Sequence, residues 1–212
     1  MTGYTDLSAR AYLDMLVNDY PYLALFSAVG SDTGSGFTEL SGFGYTRINT
    51  NGLWAYAAGS MPATISNSSA ITLPAASGGD WATIIAWGLL NAPTSGSFGF
   101  WDYLGNFAWF PVFITNASPA IIDAKAHGYS VGDKVVYTTE YGGTVPSFSA
   151  SNFTGLLTIA HAATDTFDVT NSAVQVNTSS TGSGSVRKVT PQTVTNGTTP
   201  IFPISSFVLT AA

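Results

Sequence analysis

The spacing of apolar and polar positions changes period once, close to the start of the chain. Over residues 6–18 the side chains of Ala9, Leu13, Leu16 and Val17 recur at helical spacing and share one face. Thr5 or Asp6 stands where an N-cap belongs, and Pro21 blocks continuation. The spacing therefore predicts one short helix. From residue 22 onward the pattern is that of strands and turns. Residues 22–28 read as a buried strand, 30–36 as a Gly/Ser-rich loop, and 43–50 as a strand ending in a hairpin-type turn at Asn51-Gly52. Residues 64–73 form a strand candidate with Ile65 and Ile71 inward, ended by Pro74, which cannot donate to a ladder. Residues 81–90 are almost continuously apolar, as expected for a strand buried on both faces. Residues 98–103 and 107–114 read as a hairpin around Leu104-Gly105-Asn106.

The strand rhythm restarts after residue 114, with candidates at 120–124, 134–138, 156–160, 167–170 and 186–189. Residues 178–185 form a polar loop, and 200–210 read as one or two closing strands. Charge follows the same division. Residues 1–112 hold two basic side chains (Arg10 and Arg47), residues 113–190 hold the other four, and residues 191–212 carry no charge at all. The expectation is an all-β chain: a β-sandwich with a short N-terminal helix, built from residues 1–114 and 192–212. A small β domain at residues 115–191 interrupts it, the geometry tolerated when a module enters at a loop tip.

Composition narrows the function classes. Charged residues are 8% of the 212, against roughly 25% in an average soluble domain. Six basic and twelve acidic residues give a net charge of −6. Such a chain lacks the clustered Lys and Arg that phosphate backbones or anionic lipid would require, so neither nucleic acid nor membrane is expected as a partner. There is no cysteine, which removes disulfides, thiolate metal sites and cysteine nucleophiles. The first residues lack a basic stretch followed by an apolar run, so a protein that stays in the cytoplasm of its cell or leaves by lysis is expected.

Candidate chemistry is sparse. Nucleophile-elbow, phosphate-loop and zinc-protease motifs do not occur. His127 and His161 are the only imidazoles. His127, beside Gly128, is expected to bond a loop carbonyl, and His161 and Asp165 to lie in an exposed inter-strand turn. Two histidines without a nearby His or Glu lack metal-ligand spacing, so no metal or other cofactor is expected. A glycosidase would need two carboxylates at a fixed separation. Glu39 and Glu140 fall in different expected domains, Asp32 and Glu39 flank the first loop, and Asp80 and Asp102 sit near strand ends where Asp shapes turns. Arg47 could pair with Glu39, stack on Phe43 or Tyr45, or meet a neighbouring subunit. Aromatics are 13% of the chain. They either fill the core, form subunit interfaces or stack on sugar.

The order of several short motifs resembles a family of small tailed-phage proteins of the tail-fibre or virion kind. The similar segments are Tyr22-Leu-Ala-Leu-Phe-Ser-Ala28, Glu39-Leu-Ser-Gly-Phe-Gly-Tyr-Thr-Arg47, Ile71-Thr-Leu-Pro74, Asp80-Trp81 and Trp87-Gly88. The closing Val194-Thr-Asn-Gly-Thr-Thr-Pro-Ile-Phe-Pro203 is similar as well, with Thr198 where the family pattern has Asp. Ala126-His-Gly-Tyr-Ser-Val-Gly-Asp-Lys-Val-Val136 and Ala163-Thr-Asp-Thr-Phe167 resemble a second module that recurs in phage tail fibres. The resemblance implies a non-enzymatic virion structural protein, either a capsid decoration or a tail or collar fibre component. Its partners would be other capsid, neck or tail proteins and further copies of itself in a homo-oligomer. Leu13, Leu16, Arg47, Trp54, Trp101 and Trp109 are the interface candidates. A receptor- or glycan-binding tail module is the alternative, and a polysaccharide hydrolase a more distant one.

Overall fold

The structure, a computed structural model, describes residues 5–30, 35–60, 62–105 and 107–211. Asp32, the centre of the 30–36 loop, and Asn106 lie outside the described residues. The chain divides into two compact units, residues 1–106 with 191–212, and residues 107–190.

In the first unit, helix α1 (Asp6–Asp19) begins at Thr5, whose hydroxyl accepts the Ser8 N–H at 3.3 Å. Its buried face is Ala9, Leu13, Leu16 and Val17, as the spacing predicts. Burying each Leu or Val contributes about 1.5–3 kcal/mol. Strand β1 (Tyr22–Ala28) follows, then the two-residue strands β2 (Thr38–Glu39) and β3 (Ile48–Asn49). Next come β4 (Ala63–Ser66), β5 (Ile71–Thr72), β6 (Ala86–Leu90) and β7 (Phe98–Tyr103). The main sheet runs β2-β1-β6-β7, with β3 sharing the outer edge of β1 with β2, and all pairs antiparallel. Two ribbons join the ends of the unit: β5 pairs with β17 (Ile201–Phe202), and β4 with β18 (Val208–Ala211). The core gathers the helix face, Leu23 and Leu25 of β1, Trp87 and Leu89 of β6, Ile65, Ile71 and Phe207.

Several sequence expectations change here. Of residues 43–50 only Ile48–Asn49, strand β3, is strand. Gly42, Phe43 and Gly44 have φ of 72°, 47° and 80°, a left-handed run that no strand accommodates. At Gly44 a Cβ would stand 2.9 Å from the Ala75 carbonyl oxygen, so only glycine fits. The 64–73 strand is broken at the buried Asn67, and β6 covers only the second half of 81–90. The first half of that stretch instead meets the closing segment, where the Trp81 N–H donates to the Val194 carbonyl. Finally, residues 98–103 and 107–114 form no hairpin. Strand β7 pairs with β6, whereas β8 (Trp109–Ile114) belongs to the second unit. The division between units accordingly falls at residues 106 and 190, eight residues earlier than expected at its first boundary.

The second unit contains β8, β9 (Ile122–Asp123), β10 (Lys134–Thr138), β11 (Phe148–Ala150), β12 (Leu157–Ala162) and β13 (Thr166–Asn171). It ends with β14 (Val174–Gln175), β15 (Asn177–Thr178) and β16 (Gly182–Val189). The order β12-β10-β16-β8-β9-β13, with β13 pairing back to β12, closes six strands into an antiparallel barrel. Closure removes the exposed ladder edges that an open sheet of this size would carry. Its interior holds Ile114, Ile122, Val135, Leu157, Ile159, Val169 and Val186. His127 is buried with both ring nitrogens on backbone: Nδ1 accepts the Tyr129 N–H at 2.9 Å, and Nε2 faces the Thr166 carbonyl at 3.4 Å. His161 stands on β12 rather than in a turn, exposed, with Nδ1 2.9 Å from Asp168 Oδ2.

Asn67 holds the two ends of the first unit together. Its amide donates to the Ser69 and Pro203 carbonyls at 2.9 and 2.8 Å, and its Oδ1 accepts the Phe207 N–H at 3.0 Å. The side chain is fully buried. Asn67→Ala leaves the Phe207 N–H of a buried residue without its acceptor and removes one bond from each of the two carbonyls, and should destabilise the unit by about 2–3 kcal/mol. Urea denaturation followed by tryptophan fluorescence measures the loss.

Candidate functional site

The motif spanning residues 39–47 forms the densest polar cluster in the first unit. Arg47 clamps Glu39 in a bidentate pair, Nε to Oε1 at 2.8 Å and Nη2 to Oε2 at 2.7 Å. Its Nη1 donates to the carbonyls of Ala92 and Ser95 at 2.7 and 2.6 Å, in the turn between β6 and β7. The Arg47 side chain is 7% exposed and Glu39 26%. All three guanidinium nitrogens are therefore occupied within the chain, the arrangement in which arginine outperforms lysine. The hydrogen bond to Glu39, opposed by burial, raises the Arg47 pKa further.

Tyr45 completes the cluster. Its hydroxyl donates to Glu39 Oε1 at 3.1 Å and accepts the Leu25 N–H at 2.9 Å. On its outer edge β1 pairs with β3 at Tyr22 and Leu23 and with β2 at Phe26 and Ala28, which leaves a gap between them. The Tyr45 hydroxyl fills that gap for Leu25 N–H, and Leu40 N–H fills it for the Leu25 carbonyl. Burial, then the Glu39 charge, drive the Tyr45 phenol pKa well above its ordinary value against the lowering effect of the Leu25 bond. Arg47 thus pairs with Glu39, one of the partners the sequence offered.

The other interface candidates are placed as follows. Leu13 and Leu16 lie in the core of their own unit. Trp54 is half-buried, with Nε1 donating to Thr50 Oγ1 at 3.0 Å and its ring stacked on Trp87 at 6.4 Å between centroids. Beside it a groove of 160 Å³ opens between the end of α1 and the loop after Asn51-Gly52, lined among others by Asp14, Asn18, Asn51 and Tyr56. From sequence Asn51 stood out only as part of a turn and Tyr56 only as one of many aromatics, and Asp14 and Asn18 did not stand out. The one available signal was the aromatic alternation of Trp54 and Tyr56 just past a tight turn. Trp101 lies on the opposite face of the main sheet, half-buried in a row with Phe26, Phe37, Phe98 and Tyr103. Gly88 makes room there, since a Cβ would come within 3.2 Å of Phe26 and 3.3 Å of Phe98. Trp109 belongs to the barrel, where its strand partner Arg187 sets a guanidinium 5.9 Å from the ring centroid.

The carboxylates weighed for hydrolysis are separated by role. Asp80 accepts the Asn196 N–H at 2.8 Å, Asp102 accepts its neighbour's N–H, and Glu39 is held by Arg47. Among the described residues no group of three or more His, Cys, Asp or Glu could hold a metal ion, and no helix is long and apolar enough to cross a membrane.

Residues 8–107 match the family model described as podophage GP4 fiber I protein gp80. The segments at residues 22–28 and 39–47 that carry the resemblance lie within that stretch. No curated protein matches the sequence. Among solved structures, the phage phi92 endosialidase aligns with a TM-score of 0.27 and 11% identity over 84% of this chain. The chain spans 30% of that protein's length, and a likeness this low transfers no property.

Tyr45→Phe removes the acceptor for the Leu25 N–H, which lies on a fully buried residue. The variant should lose about 1–3 kcal/mol of stability. The loss should appear in tryptophan fluorescence, since Trp54, Trp81, Trp87 and Trp101 all report on the first unit.

Proposed function

We propose that this chain is a non-enzymatic structural component of a tailed-phage virion, of the fibre type. The match of residues 8–107 to a phage fibre family carries the reading. The geometry of the shared motif supports it, because Glu39, Tyr45 and Arg47 bond one another and backbone rather than facing a cleft. Fibre takes precedence over capsid decoration, since the matched family is described as a fibre. The partners are other virion proteins and further copies of this chain.

With Leu13, Leu16 and Arg47 occupied inside the first unit, the sheet face carrying Phe37, Phe98 and Trp101 is the contact surface this reading favours. It is aromatic, half-exposed and poor in charge, the composition of an interface core. Repeated copies would multiply such contacts through symmetry.

Immunogold electron microscopy of intact virions tests the reading. Label at the tail or neck is the expected result. Label spread over the capsid would replace the fibre assignment by decoration, and an unlabelled particle would remove the virion role.

A further inference from the structure

We infer that the groove between the end of α1 and the 51–56 loop binds one neutral sugar ring. The loop is pinned from both sides. The Ala55 N–H donates to the Ser66 carbonyl, and the Ala57 N–H donates to Asp14 Oδ1, both at 2.9 Å. Trp54 is fixed by its bond to Thr50 and by its stack on the buried Trp87. Tyr56, by contrast, is 91% exposed on this rigid support. A rigid loop that holds an aromatic ring in water forgoes its burial, which is understandable when a ligand covers the ring.

The polar atoms around the rings are complementary to hydroxyl groups. The amide of Asn18 donates to the Asp14 carbonyl at 2.7 Å, leaving its Oδ1 open. The Asn51 side-chain amide, the second Asp14 oxygen and the Tyr56 hydroxyl have no hydrogen-bond partner among the described residues. Donors and acceptors therefore both line the groove that Trp54 and Tyr56 share. A pyranose presents hydroxyls at its rim and a patch of C–H groups on one face, and the electron-rich ring attracts those C–H groups. At Gly52, φ is +74° and a Cβ would meet nothing within 4 Å, so that side of the groove is open.

Size and charge narrow the class. A volume of 160 Å³ falls below the roughly 300–1,000 Å³ of sites for drug-sized ligands, and suits a single ring. Asp14 is the one ionised side chain lining the groove. The only basic residues of the first unit, Arg10 and Arg47, are bonded to the Gly59 carbonyl and to Glu39. Among the described residues no cation lines the groove to pair with a sialic, uronic, sulfated or phosphorylated sugar, and Asp14 would repel one.

This inference goes beyond the structural role and fails separately from it, since immunogold labelling reports position and sugar binding does not. The test is an NMR titration of the full chain with methyl glycosides of glucose, galactose, mannose, rhamnose and N-acetylglucosamine. Methyl glycosides of sialic and glucuronic acid serve as charged counterparts. At least one neutral glycoside should bind at about millimolar Kd, shifting the signals of Asn18, Asn51, Gly52 and Trp54 Nε1–H. Tyr56→Ala and Asn51→Ala should each weaken it roughly tenfold without altering thermal unfolding, because both side chains are exposed. The inference is overturned if no neutral glycoside shifts these residues, if the acidic glycosides bind as well as the neutral ones, or if both variants bind like the parent.

Discussion

Strand β1 is flanked on one side by β6, in unbroken register from Tyr22 to Phe26, and on the other by two strands of two residues each, with a gap between them. A central strand cannot leave buried N–H and C=O groups unpaired, so something must occupy that gap. Tyr45 does so with its hydroxyl, and Glu39 and Arg47 hold Tyr45 in place. The guanidinium then extends the tie to the β6–β7 turn through Ala92 and Ser95. One charge pair thus fixes the broken edge of the sheet to its far connection. The Leu23, Leu25, Trp87 and Leu89 face on which α1 packs depends on that sheet being held in register.

The same economy of polar groups recurs elsewhere. Thr50 receives the Trp54 indole N–H while its own hydroxyl donates to the Pro21 carbonyl at 2.8 Å. Asn67 ties the middle of the first unit to its closing segment. In the barrel, His127 is bonded to backbone through both nitrogens. Aromatic residues divide into three settings: buried in the core, as Trp87; half-buried on the second sheet face, as Trp101; and at the groove, as Trp54 and Tyr56. The fibre reading draws on the second setting and the sugar site on the third.

Local features were legible in the sequence and distant pairings were not. Helix α1 and strand β1 lie where periodicity and Pro21 put them, because both are decided by a face of adjacent residues. The run 107–114 alternates as any strand does, and nothing in it distinguishes a partner six residues upstream from β16, some seventy residues downstream. The motif at 39–47 was recognisable, yet its alternating apolar residues read as a strand, since the left-handed run at Gly42–Gly44 depends on tertiary contacts with Ala75 and Ser77. The Glu39–Arg47 pairing was among the sequence readings because oppositely charged residues are so few here. The groove was not, because Asp14 and Asn18 reach it from α1 and Asn51 from a turn, elements whose meeting only the fold determines.

The central claim is that Glu39 and Arg47 act on each other to hold the first unit together. A double-mutant cycle measures this directly, comparing Glu39→Gln, Arg47→Met and the double variant in urea denaturation. A coupling energy of about 1.5–3 kcal/mol, with the double variant less damaged than the sum of the singles, is the predicted result. A coupling near zero, with each single variant as stable as the parent, would contradict the account.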